Sequence, residues 1–154
     1  MTSQTHIQEF LRQKRFAFIG VSRDERDFSR ILFHAFLSSG YDIAPVNPGT
    51  VEIEGRKCFG SIQDVTPRVT SALLMLPRQS LTRLILQCAE AGVTLIWIYG
   101  IMGPRGVPPP VLTIGAEQGI SIIPGYCPFM FFKNAGMLHR VHRALMRFAG
   151  MMPK

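Results

Sequence analysis

Residues 16–30 read FAFIGVSRDERDFSR, and this stretch decides the predicted fold. Four apolar residues are followed by a glycine, by a polar segment at 21–27, and by a segment at 28–39 whose apolar residues recur at helical spacing. A short, wholly apolar run that ends at a glycine is typical of a strand buried on both faces of a parallel sheet. We therefore predict a strand over residues 16–19, a tight turn at Gly20 and a helix over 28–39.

The same alternation continues on both sides of this stretch. The further predicted strands cover 41–46, 72–76, 94–98 and 120–123. Predicted helices cover 5–13, 80–91, a segment that follows the prolines of 100–110 and ends near Gln118, and 133–149, while 51–59 is a small hairpin or loop and 61–65 one helical turn. Strands that alternate with helices at this spacing indicate right-handed crossovers. We predict an α/β fold, a Rossmann-like, doubly wound, parallel five-stranded sheet.

Length and composition favour one domain. The 154 residues are 47% hydrophobic and 18% charged, which excludes a disordered chain and is enough for a buried core. We expect a single domain over 1–154, with a core of about 12–128 and a helical extension at 129–154. No apolar run is long enough for a membrane span, and the polar start does not resemble a signal peptide. Three cysteines argue against a disulfide framework, so we expect a cytoplasmic protein.

The net charge of +7 favours an anionic partner. After Glu117 the chain contains only basic charges, which lie mostly on the predicted C-terminal helix. The readings left open for this helix are core packing with a solvated basic edge, an anionic membrane surface, a nucleic-acid contact or a dimer contact. No pattern resembles a recognition helix with base-reading Asn or Gln, so nucleic acid is not the expected partner.

Ligands of doubly wound sheets lie beyond the carboxyl ends of the strands, so the post-strand loops are the candidate site. In the first loop, Gly20 allows a tight turn, and the helix behind it offers free N–H groups to a phosphate. Ser22 and Ser29 add hydroxyl donors, and Arg23 and Arg30 add positive charge. The alternative is a plain strand–helix turn with Ser29 as the N-cap.

A nicotinamide dinucleotide is disfavoured as the ligand. The G-x-G-x-x-G fingerprint is reduced to Gly20, and the second strand ends in Val46-Asn47-Pro48 without the carboxylate that holds the ribose hydroxyls. A ligand with more negative charge near its ribose is favoured, since Arg56 and Lys57 follow in the 51–59 segment.

The later loops carry weaker signals. In the third loop, Leu76-Pro77-Arg78, the arginine could reach a diphosphate, or the loop could be a capped helix start with a solvated arginine. The fourth loop, which begins at Tyr99 and Gly100, is apolar and glycine-bearing. It could line a pocket for a pantetheine arm or an acyl group, or form a lid without a ligand.

Taken in order, these motifs resemble the CoA-binding domain family, which includes small standalone CoA-binding proteins and is related to the N-terminal domain of the succinyl-CoA synthetase alpha subunit. The resemblance extends over residues 12 to 128, and its order is more specific than any single motif. The residues that carry it are FIGVSR at 18–23, GY at 40–41, VNP at 46–48, EG at 54–55, CF at 58–59, SI at 61–62, LPR at 76–78, AG at 91–92 and Trp97.

The resemblance implies a Rossmann-like fold that holds CoA or an acyl-CoA across the first three or four loops. The implied contacts are Gly20, Val21, Ser22 and Arg23, with Ser29 and Arg30 behind them, for the phosphates; Val46, Asn47 and Pro48 for the adenosine; and Leu76, Pro77 and Arg78 for the diphosphate and the start of pantetheine. Tyr99 and Gly100 complete the predicted site.

Catalytic signals are sparse, and we expect a non-catalytic binding, sensor or accessory protein. One alternative is a CoA- or nucleotide-dependent enzyme in which Cys127 reacts as a thiolate at a strand end near a helix start; the other reading of this cysteine is a small buried side chain. His139 and His142 share a helix face without further ligands nearby, so no metal site is predicted. A second alternative is an interaction protein that uses the basic C-terminal helix, and a homodimer stays open.

Overall fold

The structure is a computed structural model and describes residues 3–132. The predicted helix over 133–149, with its basic residues and both of its histidines, lies outside these residues. The strands are β1 (Arg15–Ile19), β2 (Asp42–Val46), β3 (Glu52–Ile53), β4 (Arg56–Lys57), β5 (Ser71–Leu74), β6 (Leu95–Tyr99) and β7 (Ser121–Tyr126). The helices are α1 (Ser3–Arg12), α2 (Phe28–Ser38), α3 (Arg78–Glu90) and α4 (Pro109–Glu117), with short 3-10 turns at Ile62–Asp64, Gly103–Gly106 and Pro128–Phe131.

The predicted α/β fold is confirmed. Five strands form one parallel sheet in the order β2-β1-β5-β6-β7. β3 pairs with β4, so that of the two alternatives for 51–59, a small hairpin or a loop, the hairpin is the one present. The chain order reverses between β1 and β5, which lie side by side. In a doubly wound sheet this reversal opens a crevice at the carboxyl ends of the strands. The loops after β1 and β5 flank it.

The two faces of the sheet are packed differently. Because side chains alternate along a strand, one face of β1 presents Phe16 and Phe18 to α1 and α2, where they meet the buried rings of Phe10, Phe33 and Phe36. The other face presents only aliphatic side chains to α3 and α4. Large aromatic rings bury much apolar surface each, so the helix that follows the first loop is firmly anchored.

Several predicted boundaries are corrected by the structure. The third strand ends at Leu74 rather than at residue 76, and α3 begins at Arg78. The fifth strand continues to Tyr126, three residues past the predicted end, through Pro124 and Gly125. The pairing register between β6 and β7 shifts after Ile98, so that Gly125 forms a bulge, and this irregularity lets the strand continue past residues that usually end one.

Candidate functional site

Gly20 is the point at which three strand ends meet. It lies directly after β1 with a φ of +95°, and a Cβ at this position would overlap the carbonyl of Met75, which follows β5. Its own N–H donates to the carbonyl of Val46 at the end of β2, at 3.2 Å. Only glycine combines this conformation with such a close approach, so the predicted tight turn at Gly20 is present for a definite packing reason.

Asn47 joins the first and second loops. Its Nδ2 donates to the carbonyl of Val21 at 2.8 Å, and its Oδ1 accepts from the N–H of Gly49 at 2.7 Å. From the other side, Arg23 Nη1 donates to the carbonyl of Gly49 at 3.3 Å. The two loops therefore form one hydrogen-bonded unit. Pro48, at the tip of the second loop, is exposed, whereas Val46 and Val21 are buried.

Arg30 supports the first loop from inside the protein. It is only 8% exposed, and its Nη1 lies 3.4 Å from the carbonyl oxygen of Ser22 and 3.3 Å from that of Arg23. Nη2 pairs with Glu54 Oε1 at 3.2 Å. The predicted positive charge is thus present, but it lies beneath the loop and is paired, so it positions the loop backbone.

Glu54 links the hairpin to α2. Besides Arg30 it contacts His34 Nδ1 at 3.1 Å, and its backbone has a φ of 50°, which is uncommon for a residue other than glycine. Desolvation by burial acts to raise the pKa of Glu54, but the hydrogen bonds and charges of His34 and Arg30 outweigh it and hold that pKa below its usual range. The predicted site did not include Glu54, because nothing in the local sequence indicates a contact with a helix 24 residues away.

Asp27 is the N-cap of α2, which corrects the reading that placed the cap at Ser29. Its Oδ1 accepts from the N–H of Ser29 at 2.8 Å and from the Ser29 hydroxyl at 2.5 Å. Ser29 Oγ in turn accepts from the N–H of Ser22 at 2.9 Å. The signal was available in the sequence, since an Asp directly before the first apolar residue of a helix, here Phe28, is a usual N-cap.

The third loop is more open than the first. Leu76 is half-buried, while Pro77 and Arg78 are exposed at the start of α3. Pro77 occupies the cap position, and no side chain caps this helix, in contrast to α2. Arg78, for which the sequence predicted a diphosphate contact, is therefore exposed on the loop after β5, one of the two loops that flank the crevice.

The fourth loop is held by backbone packing and presents apolar side chains. A Cβ on Gly100 would overlap the backbone of Gly125, and Tyr99 is half-buried against Phe28. The next two residues, Ile101 and Met102, are 60% and 53% exposed. This loop fits its predicted apolar character.

Arg56 does not lie at this edge of the sheet, which corrects the argument that it would face the ribose of a ligand. Its Nη1 donates to Asp42 Oδ1 at 2.7 Å, and Asp42 begins β2, at the amino end of the strands. The exposed Lys57 instead lies over the ring of Phe59, at 5.2 Å from its centroid. A small cavity of about 50 Å³ also lies at the amino edge, lined by Ile62, Gln63, Arg68, Val69, Glu90 and Ala91.

Of the two readings of Cys127, the structure favours the small buried side chain over the reactive thiolate. The side chain is buried, and this burial raises the pKa of its thiol, although backbone hydrogen bonds from Phe129 and Met130 act in the opposite direction. The alternative reading, a small buried side chain, agrees with its position. Within residues 3–132, no group of three or more His, Cys, Asp or Glu is arranged to hold a metal ion. No helix in this part of the chain has the length and apolarity needed to cross a membrane.

The sequence of this chain is similar to a protein family model and to a protein of known activity. A family model described as CoA binding domain matches residues 14–132. The acetate–CoA ligase (ADP-forming) II subunit alpha of Pyrococcus furiosus is 25% identical over 105 residues, which are 65% of this chain and only 23% of that protein. The chain therefore spans less than a quarter of the length of this relative.

Solved structures support the fold. A hypothetical protein from Pyrococcus horikoshii OT3 superposes with a TM-score of 0.72 at 22% identity, covering 95% of this chain and 93% of that one. The dinucleotide-forming acetyl-coenzyme A synthetase 1 of Ca. Korarchaeum cryptofilum, solved with phosphate and ADP, superposes with a TM-score of 0.65 at 22% identity, covering 73% of this chain and 25% of that one. Since the family model spans all five strands of the sheet and the loops that meet at Gly20, the chain belongs to the CoA-binding domain family.

Proposed function

We propose that the chain binds CoA or an acyl-CoA at the carboxyl edge of the sheet and acts as a binding, sensor or accessory protein without catalysis of its own. The observation that carries the proposal is the convergence of three loops at Gly20, within the segment that the CoA-binding family model spans. A tight turn at the carboxyl end of the first strand, followed by a helix, is the place at which folds of this kind bind the phosphates of a nucleotide.

The phosphates are assigned to the loop at Gly20, Val21 and Ser22, with the exposed residues Arg23 in the first loop and Arg78 at the start of α3 as their positively charged partners. Arginine suits this role because its planar group can donate two hydrogen bonds to one phosphate. The roles of Ser29 and Arg30 become indirect in this assignment. Both are buried, and they hold the loop in place through hydrogen bonds to Ser22 and Arg23 rather than facing solvent.

The remaining parts of the ligand follow the order of the strands. The adenosine is assigned to Val46, Asn47 and Pro48, and the start of the pantetheine arm to Leu76 and Pro77 beyond β5. The far end of that arm, with any acyl group, would reach Tyr99, Gly100 and the exposed apolar side chains of the fourth loop. This arrangement matches a polar ligand end to the polar loops and an apolar end to the apolar loop.

The inference of binding without catalysis rests on Cys127 and on the extent of the relatives. A buried thiol with a raised pKa is protonated near neutral pH and is a weak nucleophile, so no thioester chemistry is assigned to it. The chain corresponds to less than a quarter of the curated ligase subunit, so the reaction named for that protein is not transferred to it.

Titration calorimetry with CoA, acetyl-CoA, dephospho-CoA and NAD tests the proposal. We expect CoA and acetyl-CoA to bind, dephospho-CoA to bind more weakly because it has lost one phosphate, and NAD not to bind. No heat with CoA at any accessible concentration, or NAD bound as tightly as CoA, would overturn the assignment. Equal affinity for CoA and dephospho-CoA would mean that the basic residues do not bind the 3′-phosphate, the group that dephospho-CoA lacks.

Ser22→Asp tests the position of the phosphates. A carboxylate at this half-buried position repels the ligand's phosphates, and we expect at least about a tenfold loss of CoA affinity. Ser22→Asn is the matched control, since it adds a side chain of similar size without charge, and it should retain most of the affinity. Equal losses in the two variants would indicate a steric effect and contradict the assignment of phosphates to this loop.

A further inference from the structure

The second loop, which follows β2 at residues 47–51, has no charged side chain of its own. The hairpin that comes next has two basic residues, Arg56 and Lys57, but neither is directed at this loop. Arg56 binds Asp42 at the amino edge of the sheet. Lys57 lies over the ring of Phe59. A negatively charged group that lies against the second loop therefore needs a cation from another part of the chain.

Arg23 reaches the second loop from the first. Its Nη1 donates to the carbonyl of Gly49 at 3.3 Å, and a Cβ placed on Gly49 would lie 3.5 Å from Arg23 Nε. Both contacts place the guanidinium against the backbone of the second loop. Arg23 is an exposed residue, and it forms no ion pair with any carboxylate within residues 3–132. Its positive charge is therefore available to a ligand that lies on this loop.

The neighbouring arginines are engaged elsewhere or lie farther along the sheet. Arg26 pairs with a carboxylate of its own loop at 3.3 Å. Arg30 is buried and pairs with Glu54. Arg78 begins α3 after β5, and since β1 lies between β2 and β5, its loop and the second loop leave the sheet on opposite sides of β1. Arg23 is the basic residue that the structure places on the second loop.

We propose that Arg23 binds the 3′-phosphate of the CoA ribose and thereby sets the preference for CoA over dephospho-CoA. The proposal rests on the proposed function, which assigns the adenosine to residues 46–48, because the 3′-phosphate is attached to the ribose of that adenosine. A guanidinium can donate two hydrogen bonds to one phosphate. The bond to Gly49 holds the side chain near this position before the ligand binds, which lowers the entropy cost of ordering it. Arg78 is left for the diphosphate, which both ligands contain.

Calorimetry with CoA and dephospho-CoA, on the wild type and on Arg23→Gln, tests this assignment. We expect the wild type to prefer CoA by about tenfold. Arg23→Gln should lose about tenfold in affinity for CoA and less than about twofold for dephospho-CoA, so that the preference nearly disappears. Any loosening of the second loop through loss of the bond to Gly49 affects both ligands alike, and it cancels in the ratio of the two affinities.

Arg26→Gln is the matched control, because it removes the same charge from the same exposed loop without a contact to Gly49. It should leave both affinities within about twofold of the wild type. Arg78→Gln should weaken both ligands to a similar extent, since they share the diphosphate. A wild type without a preference, or an Arg23→Gln variant that keeps it, overturns the role of Arg23 and leaves the proposed function standing. Absence of binding of either ligand to the wild type overturns the proposed function itself, and the role of Arg23 with it.

Discussion

The loops after β1 and β6 both leave the carboxyl edge of the sheet, but they are held by opposite means. The loop after β1 is held by polar side chains from outside the loop, namely Asn47, Arg30 and Ser29. The loop after β6 is held by backbone against backbone, because Gly100 and Gly103 pack directly on Gly125. Of these two loops, only the loop after β6 exposes large apolar side chains.

Under the proposed function, this difference would assign two kinds of recognition to one edge of the sheet. Polar bracing leaves a loop with oriented N–H groups and nearby charge, which suits the anionic end of a ligand. Backbone packing through glycines needs no polar side chains, so the loop is free to present apolar ones to an acyl or pantetheine group.

Gly125→Ala should have the largest effect, on stability. The residue has a φ of +70°, and a Cβ would overlap the carbonyl of Gly103, so backbone has to move. We expect a loss of about 3 kcal/mol or more in the free energy of unfolding, measured by urea denaturation. Gly119→Ala is the control, because Gly119 has a φ of +69° but nothing within 4 Å of the added Cβ. It should lose only about 1 kcal/mol; similar losses in both would show that the Gly103 contact is not tight.

Arg30→Met tests whether the hydrogen bonds from Arg30 hold the first loop in place. The variant removes the buried guanidinium that donates to the carbonyls of Ser22 and Arg23 and pairs with Glu54, which then keeps only its contact with His34. We expect a loss of about 2 kcal/mol in unfolding free energy, together with weaker CoA binding. Arg26→Met is the control, since that side chain is 92% exposed, and it should change stability by less than about 0.5 kcal/mol. Undiminished stability in Arg30→Met would contradict the bracing role.

The fold was accessible from the sequence because its signals are local. Each buried strand of a parallel sheet is a short apolar run, and a glycine or proline marks most of the ends. The predicted end of a strand was wrong where a contact with a distant residue lets the strand continue past a glycine or proline. β7 continues through Pro124 and Gly125 because β6 shifts its register to accommodate the bulge, and no pattern within 120–126 indicates such a partner.

The site was accessible only in part, for a similar reason. The first loop could be located from Gly20, because a glycine that follows a buried strand and precedes a helix marks a tight turn. The roles of individual side chains could not be predicted, because they depend on partners far away in sequence. Arg56 is the clearest case: its charge suggested a ligand contact, but Asp42 at the opposite edge of the sheet binds it.

Lowering the pH should weaken the first loop through Glu54. Its pKa is held below the usual value of 4.5, so the folded state binds the proton less readily than the unfolded state. The stability it contributes is therefore complete above about pH 4.5 and is lost as the pH falls through the folded-state pKa. Urea denaturation between pH 6 and the acid limit, in buffers of about equal ionic strength, should show a shallower decline in Glu54→Gln than in the wild type. Glu52→Gln, on the same hairpin, is the comparison variant, and identical declines in all three proteins would exclude a contribution from Glu54.

Replacing Ile101 and Met102 by serine should have the smallest effect on stability. The double variant tests whether the exposed apolar side chains of the fourth loop contact a ligand. Both side chains are more than half exposed, so the double variant should unfold within about 0.5 kcal/mol of the wild type. If the fourth loop receives the acyl end, the affinity for a long-chain acyl-CoA should fall about threefold or more, while the affinity for CoA stays nearly constant. Val51→Ser controls for the loss of exposed apolar surface, since Val51 is 84% exposed on the segment that leads into the hairpin. An equal loss for CoA and acyl-CoA would place the loop against the pantetheine arm that both ligands share, because only a contact made by the acyl chain itself can distinguish them.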